Sequence, residues 1–288
     1  MQVLQLVHSQ TKKELNANRS GVTHLIERPG SNEPQSADEL PKLISPEIAW
    51  EDLRWLAGKG EFFKGQSIKT RHDFELISTH FHCPGSTVLI REGQIPSSVL
   101  FVVDGKVKIS MNSFDGRRFL LGVAGAGEMV GLASAVSGNP SGIMAETFYP
   151  CTIAVIDRQD FLDFLLRNPL VSQNVLRELT LHYAQACESL RIIGLTSSIK
   201  ARLARLLLRW CEGAPQTING VEIRCILTHE EIGECIGTSR ESVTRALTFF
   251  KDHDLVKLRG SILNVPNREA LGFYARVESM PDLPEPAA

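Results

Sequence analysis

The run Ser239-Arg240-Glu241-Ser242-Val243-Thr244-Arg245 places two guanidiniums, a carboxylate and three hydroxyls within seven positions. A guanidinium presents a planar fork of donors that matches two acceptors on a guanine edge, and a carboxylate accepts from a cytosine amino group. At helical spacing Arg240, Glu241, Thr244, Arg245 and Thr248 fall on one side, with Val243, Ala246, Leu247 and Phe250 on the other. The bland alternative is a solvated surface on which Glu241 and Arg245 form an i,i+4 pair worth about 0.3 kcal/mol.

The elements that must hold this face can be read on either side of it. Thr228 and Glu231 form a capping box opening a short helix with Ile232, Cys235 and Ile236 on its inner side. Gly237 ends that helix, and Thr238 or Ser239 caps the next. Two helices joined by a short Gly-containing turn make a helix-turn-helix, whose second helix leads with its first residues into a DNA major groove. Downstream, Leu255 to Leu258 and Ile262 to Val265 flank Arg259-Gly260-Ser261 and predict two short strands around a tight turn. This wing would carry Lys257 and Arg259 to phosphates, contacts that position a protein without reading sequence.

Further upstream the texture differs. Between about His80 and Asp157, short apolar and β-branched runs alternate with Gly-bearing turns, which suggests an antiparallel barrel or roll. Asp104-Gly105 and Asp115-Gly116 each read as a hairpin turn, as does Asn219-Gly220 further on. Asp160 precedes a short helix, and Asn168-Pro169 opens a long one in which Leu176, Leu179, Tyr183, Ala186, Leu190 and Ile193 recur at spacings of three and four. Such a seam suits pairing of two chains, though it spans fewer than three heptads, and packing on its own domain is the alternative. Gly194 to Ser198 interrupts the helix as a hinge, with Ser197-Ser198 a fresh cap. The expected domains are a flexible arm over 1–45, a sensor roll with flanking helices over 46–167, a dimerisation helix and hinge over 168–196, a winged helix-turn-helix over 197–272, and a tail over 273–288. Within the second, Ser45, Pro46 and the stripe Ile48, Leu53, Leu56 predict a short amphipathic helix.

Length and composition fit this division. The 288 residues suit about two domains, and 43% apolar with 22% charged residues excludes wholesale disorder. The formal net charge of −2 is no advertisement of a nucleic-acid partner, yet residues 198–270 hold 11 basic against 9 acidic residues and the remainder is net acidic. No signal peptide or run of ~18 apolar residues is visible, so a cytoplasmic protein without membrane contact is expected. The six cysteines lack CxxC or zinc-finger spacing and read as small core residues. His80 and His82 would share one strand face and begin a metal site, as in a cupin-type enzyme, but no carboxylate follows at suitable spacing; neither a metal nor a cofactor is expected. No nucleophile–base pair or Walker loop appears, so an enzyme is not expected. A ligand-sensing module docking on a protein partner remains an alternative to a DNA binder.

Residues from about 76 to 270 resemble the Crp/Fnr family of bacterial transcription regulators. The recognition-helix run from Ser239 to Arg245 carries the resemblance most closely. Glu92-Gly93, the strand before Gly105, and Gly127-Glu128-Met129-Val130-Gly131 carry it more loosely. The resemblance implies an α+β fold: an N-terminal antiparallel β-roll of the cyclic-nucleotide-binding type (a double-stranded β-helix), a long dimerisation helix, and a C-terminal winged helix-turn-helix. It implies a homodimer on pseudo-palindromic double-stranded DNA, with RNA polymerase as a further partner. It assigns base contacts to Arg240, Glu241 and Arg245 with Thr244, and places Thr228, Ser239, Lys257 and Arg259 in the same interface. The effector pocket would lie around Gly131, Leu132, Ala133 and Ser134. Cyclic-AMP-binding members carry a Glu soon after the equivalent of Gly131 and an Arg about ten residues later, and from Gly131 to Glu146 this chain has no Arg. Burying a cyclic phosphate without that cation is costly, so loss of cyclic-AMP binding is expected and the effector is left unidentified. The oxygen-sensing branch holds an iron–sulfur cluster on N-terminal cysteines, and here the first cysteine is Cys83.

Overall fold

Short β-branched runs and capped amphipathic segments partition as their periodicities require. The computed structural model describes residues 42–43, 61–196, 198–212 and 214–276. The expected arm over 1–45, apart from 42–43, the helix over Ser45 to Leu56, Ser197 and most of the expected tail lie outside the described residues. Two units result, one of residues up to 112 with 122–181, the other of 113–121 with 182 onward.

In the first unit β1 (Lys42–Leu43), β2 (Ser78–Cys83), β4 (Ser98–Asp104), β7 (Met129–Val130) and β9 (Cys151–Asp157) form one antiparallel sheet in the order β1-β2-β9-β4-β7. A second sheet runs β3 (Val88–Ile90), β8 (Met144–Thr147), β5 (Lys106–Asn112), β6 (Arg118–Gly125). Leu89, Leu100, Val102, Val107, Val130 and Ile153 make one buried cluster of this roll. A second cluster is aromatic: Phe62, Phe74, Phe101 and Phe161 pack with ring centroids 5.1–6.3 Å apart where α1 (Ile68–Leu76) and α3 (Arg158–Arg167) cover the sheet. Asn174, fully buried on α4 (Pro169–Gly194), donates to the carbonyls of Phe62 and Lys64 at 3.0 and 2.8 Å and pins the start of that helix.

Asp104-Gly105 is not a hairpin. The strands on either side of it belong to different sheets, so the chain turns a corner there instead of reversing onto itself. Gly105 has φ +98, and a Cβ on it would stand 2.5 Å from the Sγ of Cys151. Close approach to β9 therefore demands glycine here. Asp115-Gly116 does lie in the loop joining β5 to β6, closed by Ser113 N–H to Arg117 C=O at 2.8 Å.

The second unit holds α5 (Ile199–Cys211), α6 (His229–Ile236), α7 (Arg240–Asp252) and α8 (Arg268–Arg276) around Leu203, Leu207, Ile236, Val243, Phe250 and Leu271. A sheet in the order β10 (Gln216–Thr217), β11 (Gly220–Arg224), β13 (Ile262–Val265), β12 (Lys257–Arg259) completes it. β10 and β11 form the hairpin expected at Asn219-Gly220, with Gly220 already paired to Thr217. β12 and β13 form the wing around Gly260-Ser261. The expected domain end at 272 is too early, because α8 runs on and buries Ala275 in the same core. The fold is α+β, with an N-terminal antiparallel roll, a long helix and a C-terminal winged helix-turn-helix. No helix among the described residues is long and apolar enough to cross a membrane.

Candidate functional site

The geometry of the helix pair α6–α7 begins at its caps. The Thr228 hydroxyl accepts from Glu231 N–H at 3.2 Å while the Glu231 carboxylate accepts from Thr228 N–H at 2.9 Å, closing the expected box. Gly237 takes the left-handed conformation that ends α6, and Ser239, not Thr238, caps α7 by accepting from Ser242 N–H at 3.3 Å. Ile232, Cys235 and Ile236 of α6, with Val243, Ala246, Leu247 and Phe250 of α7, are buried together. Burying these side chains, at roughly 1.5–3 kcal/mol for each of the large ones, fixes the rotation of α7 about its own axis.

That rotation leaves Arg240, Glu241, Thr244, Arg245 and Thr248 exposed in one row. Arg245 Nη2 donates to the Ser242 hydroxyl at 3.0 Å. Glu241 is held below its ordinary range by its own backbone N–H, by the Ser239 hydroxyl, and by the charges of Arg240 and Arg245. It therefore stays an ionised acceptor at neutral pH. Thr244 differs from the other members of the row: its Oγ1 lies 2.9 Å from the carbonyl of Arg240 and 2.9 Å from Nδ1 of His229 on α6. Periodicity gave no hint of His229, which reaches α7 from fifteen residues away. On the wing, Lys257 and Arg259 are both exposed.

The roll presents the opposite situation. Of the four residues expected around its pocket, Leu132 is buried in the aromatic cluster and Ala133 is exposed. Gly131 is covered by Ile90, whose Cδ1 would stand 2.7 Å from a Cβ at that position. Ser134 alone of the four lines the small cavity, with Ile90, Gln94 and Ser141 among its other walls, and the volume is about 20 Å³. Such a space holds about one water. Both serines are already bonded: Ser134 donates to Gly131 C=O at 2.9 Å and Ser141 to Ile143 C=O at 3.0 Å. Arg158, absent from the expected site, donates to Ala135 C=O at 2.7 Å at the end of α2 (Leu132–Ser137).

His80 and His82 do not form a shared surface. His80 is buried with Nε2 3.2 Å from Glu75 Oε1, whereas His82 is exposed. Among the described residues no three His, Cys, Asp or Glu groups come together as metal ligands would. The six cysteines are free thiols, four of them buried, and burial pushes Cys83 and Cys235 up to about 12. On α4, Leu176, Tyr183 and Leu190 are about two-thirds exposed and Ala186 is exposed, while Leu179 and Ile193 are half-buried.

Residues 81–168 match the family described as "Cyclic nucleotide-binding domain", and residues 201–273 the "Crp-like helix-turn-helix domain". The "CRP-like cAMP-activated global transcriptional regulator" of Mycobacterium tuberculosis is 27% identical over 194 residues, covering 67% of this chain and 86% of that protein. The fold is shared with FixK2 from Bradyrhizobium japonicum, at 20% identity, TM-score 0.59, and coverage of 68% of this chain and 96% of that one. It is shared too with a CooA mutant from Carboxydothermus hydrogenoformans, at 18% identity, TM-score 0.62, and coverage of 74% and 92%. A roll of this kind followed by this winged helix pair defines a two-domain DNA-binding transcription regulator. The chain belongs to the Crp/Fnr family.

Proposed function

We propose that the protein binds pseudo-palindromic promoter DNA sequence-specifically as a homodimer, in which α7 of each chain enters the major groove. The observation that carries this reading is the exposed row Arg240, Glu241 and Arg245 on a helix whose other side is locked into the core. The two arginines suit guanine edges and Glu241 a cytosine amino group. Thr228 and Ser239, spent as caps, place helix N-termini toward phosphates, and Lys257 and Arg259 extend that contact along the backbone.

Leu176, Tyr183 and Leu190 recur every seven residues on α4, and three large apolar side chains left in water at that period favour a second copy of the helix as their cover. Leu179, Ala186 and Ile193 flank this line. Pairing there would set two recognition helices about 34 Å apart, one turn of DNA. The roll governs that spacing in response to a signal of unidentified chemistry. A cavity of only about 20 Å³ and the lack of any arginine from Gly131 to Glu146 argue against cyclic AMP in this role. RNA polymerase is the further partner that the family resemblance implies.

Sequencing of genomic fragments retained by the purified protein tests the proposal. A recurring inverted repeat with half-sites one turn apart is the expected result. Retention of random fragments in proportion to their abundance would refute it.

A further inference from the structure

Thr244 stands in the exposed row of α7, yet its hydroxyl is already committed. The carbonyl of Arg240, 2.9 Å away, can only accept, so the single hydroxyl proton of Thr244 goes there. The contact of 2.9 Å with Nδ1 of His229 must then run the other way, with the imidazole donating to Oγ1. These two bonds turn the hydroxyl back toward its own helix and toward α6. On this exposed residue the Cγ2 methyl is the branch not engaged in a hydrogen bond. We propose that Thr244 reads DNA by its methyl group, selecting the C5-methyl of thymine, and that His229 is the positioning residue that imposes this choice.

The physical basis is an exclusion joined to an attraction. With its proton spent, Thr244 has no donor for the acceptors O4, O6 or N7 that line the major groove. A methyl against a thymine methyl removes apolar surface from water at a step where cytosine and adenine offer none. His229, which no motif singles out, thereby acts on specificity without touching a base. The inference rests on the reading of α7 as the major-groove helix, and the experiment separates the two.

A duplex is first selected from a random library with the purified full-length protein. Each thymine of one half-site is then replaced by deoxyuridine, which deletes the methyl and nothing else. One position should lose about fourfold in affinity, the worth of burying one methyl-sized group, and the other thymines should be indifferent. Thr244→Val should keep that penalty, and Thr244→Ser should abolish it. His229→Ala should bring the thymine-to-uracil ratio at that position toward one, with His229→Asn, whose amide donates from the Nδ1 site, restoring it. Circular dichroism confirms that each variant folds. A selected duplex that tolerates every uracil overturns the methyl reading and leaves the major-groove reading standing, as does a Thr244→Ser protein that keeps the penalty. If no sequence is selected at all, both fall.

Discussion

The two halves of this chain spend their polar groups in opposite ways. In the winged unit Arg240, Glu241 and Arg245 stand in water on a helix capped at its start and buried along its back, at no cost in buried charge. In the roll, Ser134 and Ser141 satisfy main-chain carbonyls beside a cavity of about 20 Å³, and Arg158 satisfies that of Ala135. A preorganised, water-exposed row is what recognition of a rigid duplex requires, since the partner brings its own fixed pattern of donors and acceptors. A small pocket with its hydroxyls already paired is poorly prepared for a polar ligand, which would have to break those bonds before making new ones. Substitutions on α7 and the wing are therefore expected to change what is bound, whereas those in the roll and on α4 change stability and assembly.

The largest effect is expected where the long helix leaves apolar side chains in water. Tyr183→Glu with Leu190→Glu should give a monomer in analytical ultracentrifugation. DNA affinity should fall at least about a hundredfold, because the second half-site no longer binds as an intramolecular event. A double variant that remains dimeric would move the interface elsewhere. Next comes Glu178, buried on α4, whose Oε1 accepts from Met129 N–H at 3.0 Å while Oε2 has no hydrogen-bond partner among the described residues. Burial, then the nearby charges of Glu128 and Glu61, push it up to about 7 against an ordinary 4.5, with the Met129 N–H opposing them. Between pH 4.5 and 7 the folded chain holds a proton that the unfolded chain has released, so stability is fullest below that window and declines as pH rises through it. The loss is on the order of 3 kcal/mol. Thermal melts at pH 5 and pH 8 should show it, and Glu178→Gln should flatten the difference.

Smaller and more selective effects belong to α7 and the wing. Arg245→Ala should cost about 1–3 kcal/mol on the selected duplex and relax preference at one base pair, with random DNA hardly affected. Equal weakening on both would remove Arg245 from base reading. Lys257→Ala should do the reverse, weakening both duplexes alike and reducing the slope of log affinity against log salt by about one. Fluorescence anisotropy over a salt series measures both.

The degree to which each half was legible in the sequence follows from how local its signals are. Thr228 with Glu231, Gly237 and Ser239 act within one helical turn, so caps, helix boundaries and the exposed row could all be read directly. Asp104-Gly105 misled because a turn dipeptide announces a change of direction without saying which strand becomes the partner. Here the decision lies with Cys151, forty-six residues on, whose Sγ occupies the space a side chain at 105 would need. The pairing of His80 with Glu75 joins the end of α1 to β2, and no strand periodicity reveals it. His229 escaped notice for the same reason, since its partner lies on another helix. The closure of the pocket by Ile90 over Gly131 is likewise a contact between separate strands and loops, although the missing arginine was plain.

The smallest expected effect is none at all, and it tests the comparison most directly. Cyclic AMP or cyclic GMP titrated into the purified protein should give no heat in calorimetry and no change in DNA affinity. A nucleotide fills a pocket of several hundred Å³, more than ten times the cavity beside Ser134 and Ser141. To admit it, the Ile90 side chain would have to leave Gly131 and both serines would have to give up their carbonyl partners. The cyclic phosphate would then lie along a segment without a single arginine to neutralise it. Micromolar binding would mean that a cation from outside residues 131–146 swings in, with Arg158 released from Ala135 one candidate, which Arg158→Ala would test. In that event the roll would be a receptor held shut by its own hydrogen bonds, and the contrast with the open row on α7 would describe two states of readiness instead of two functions.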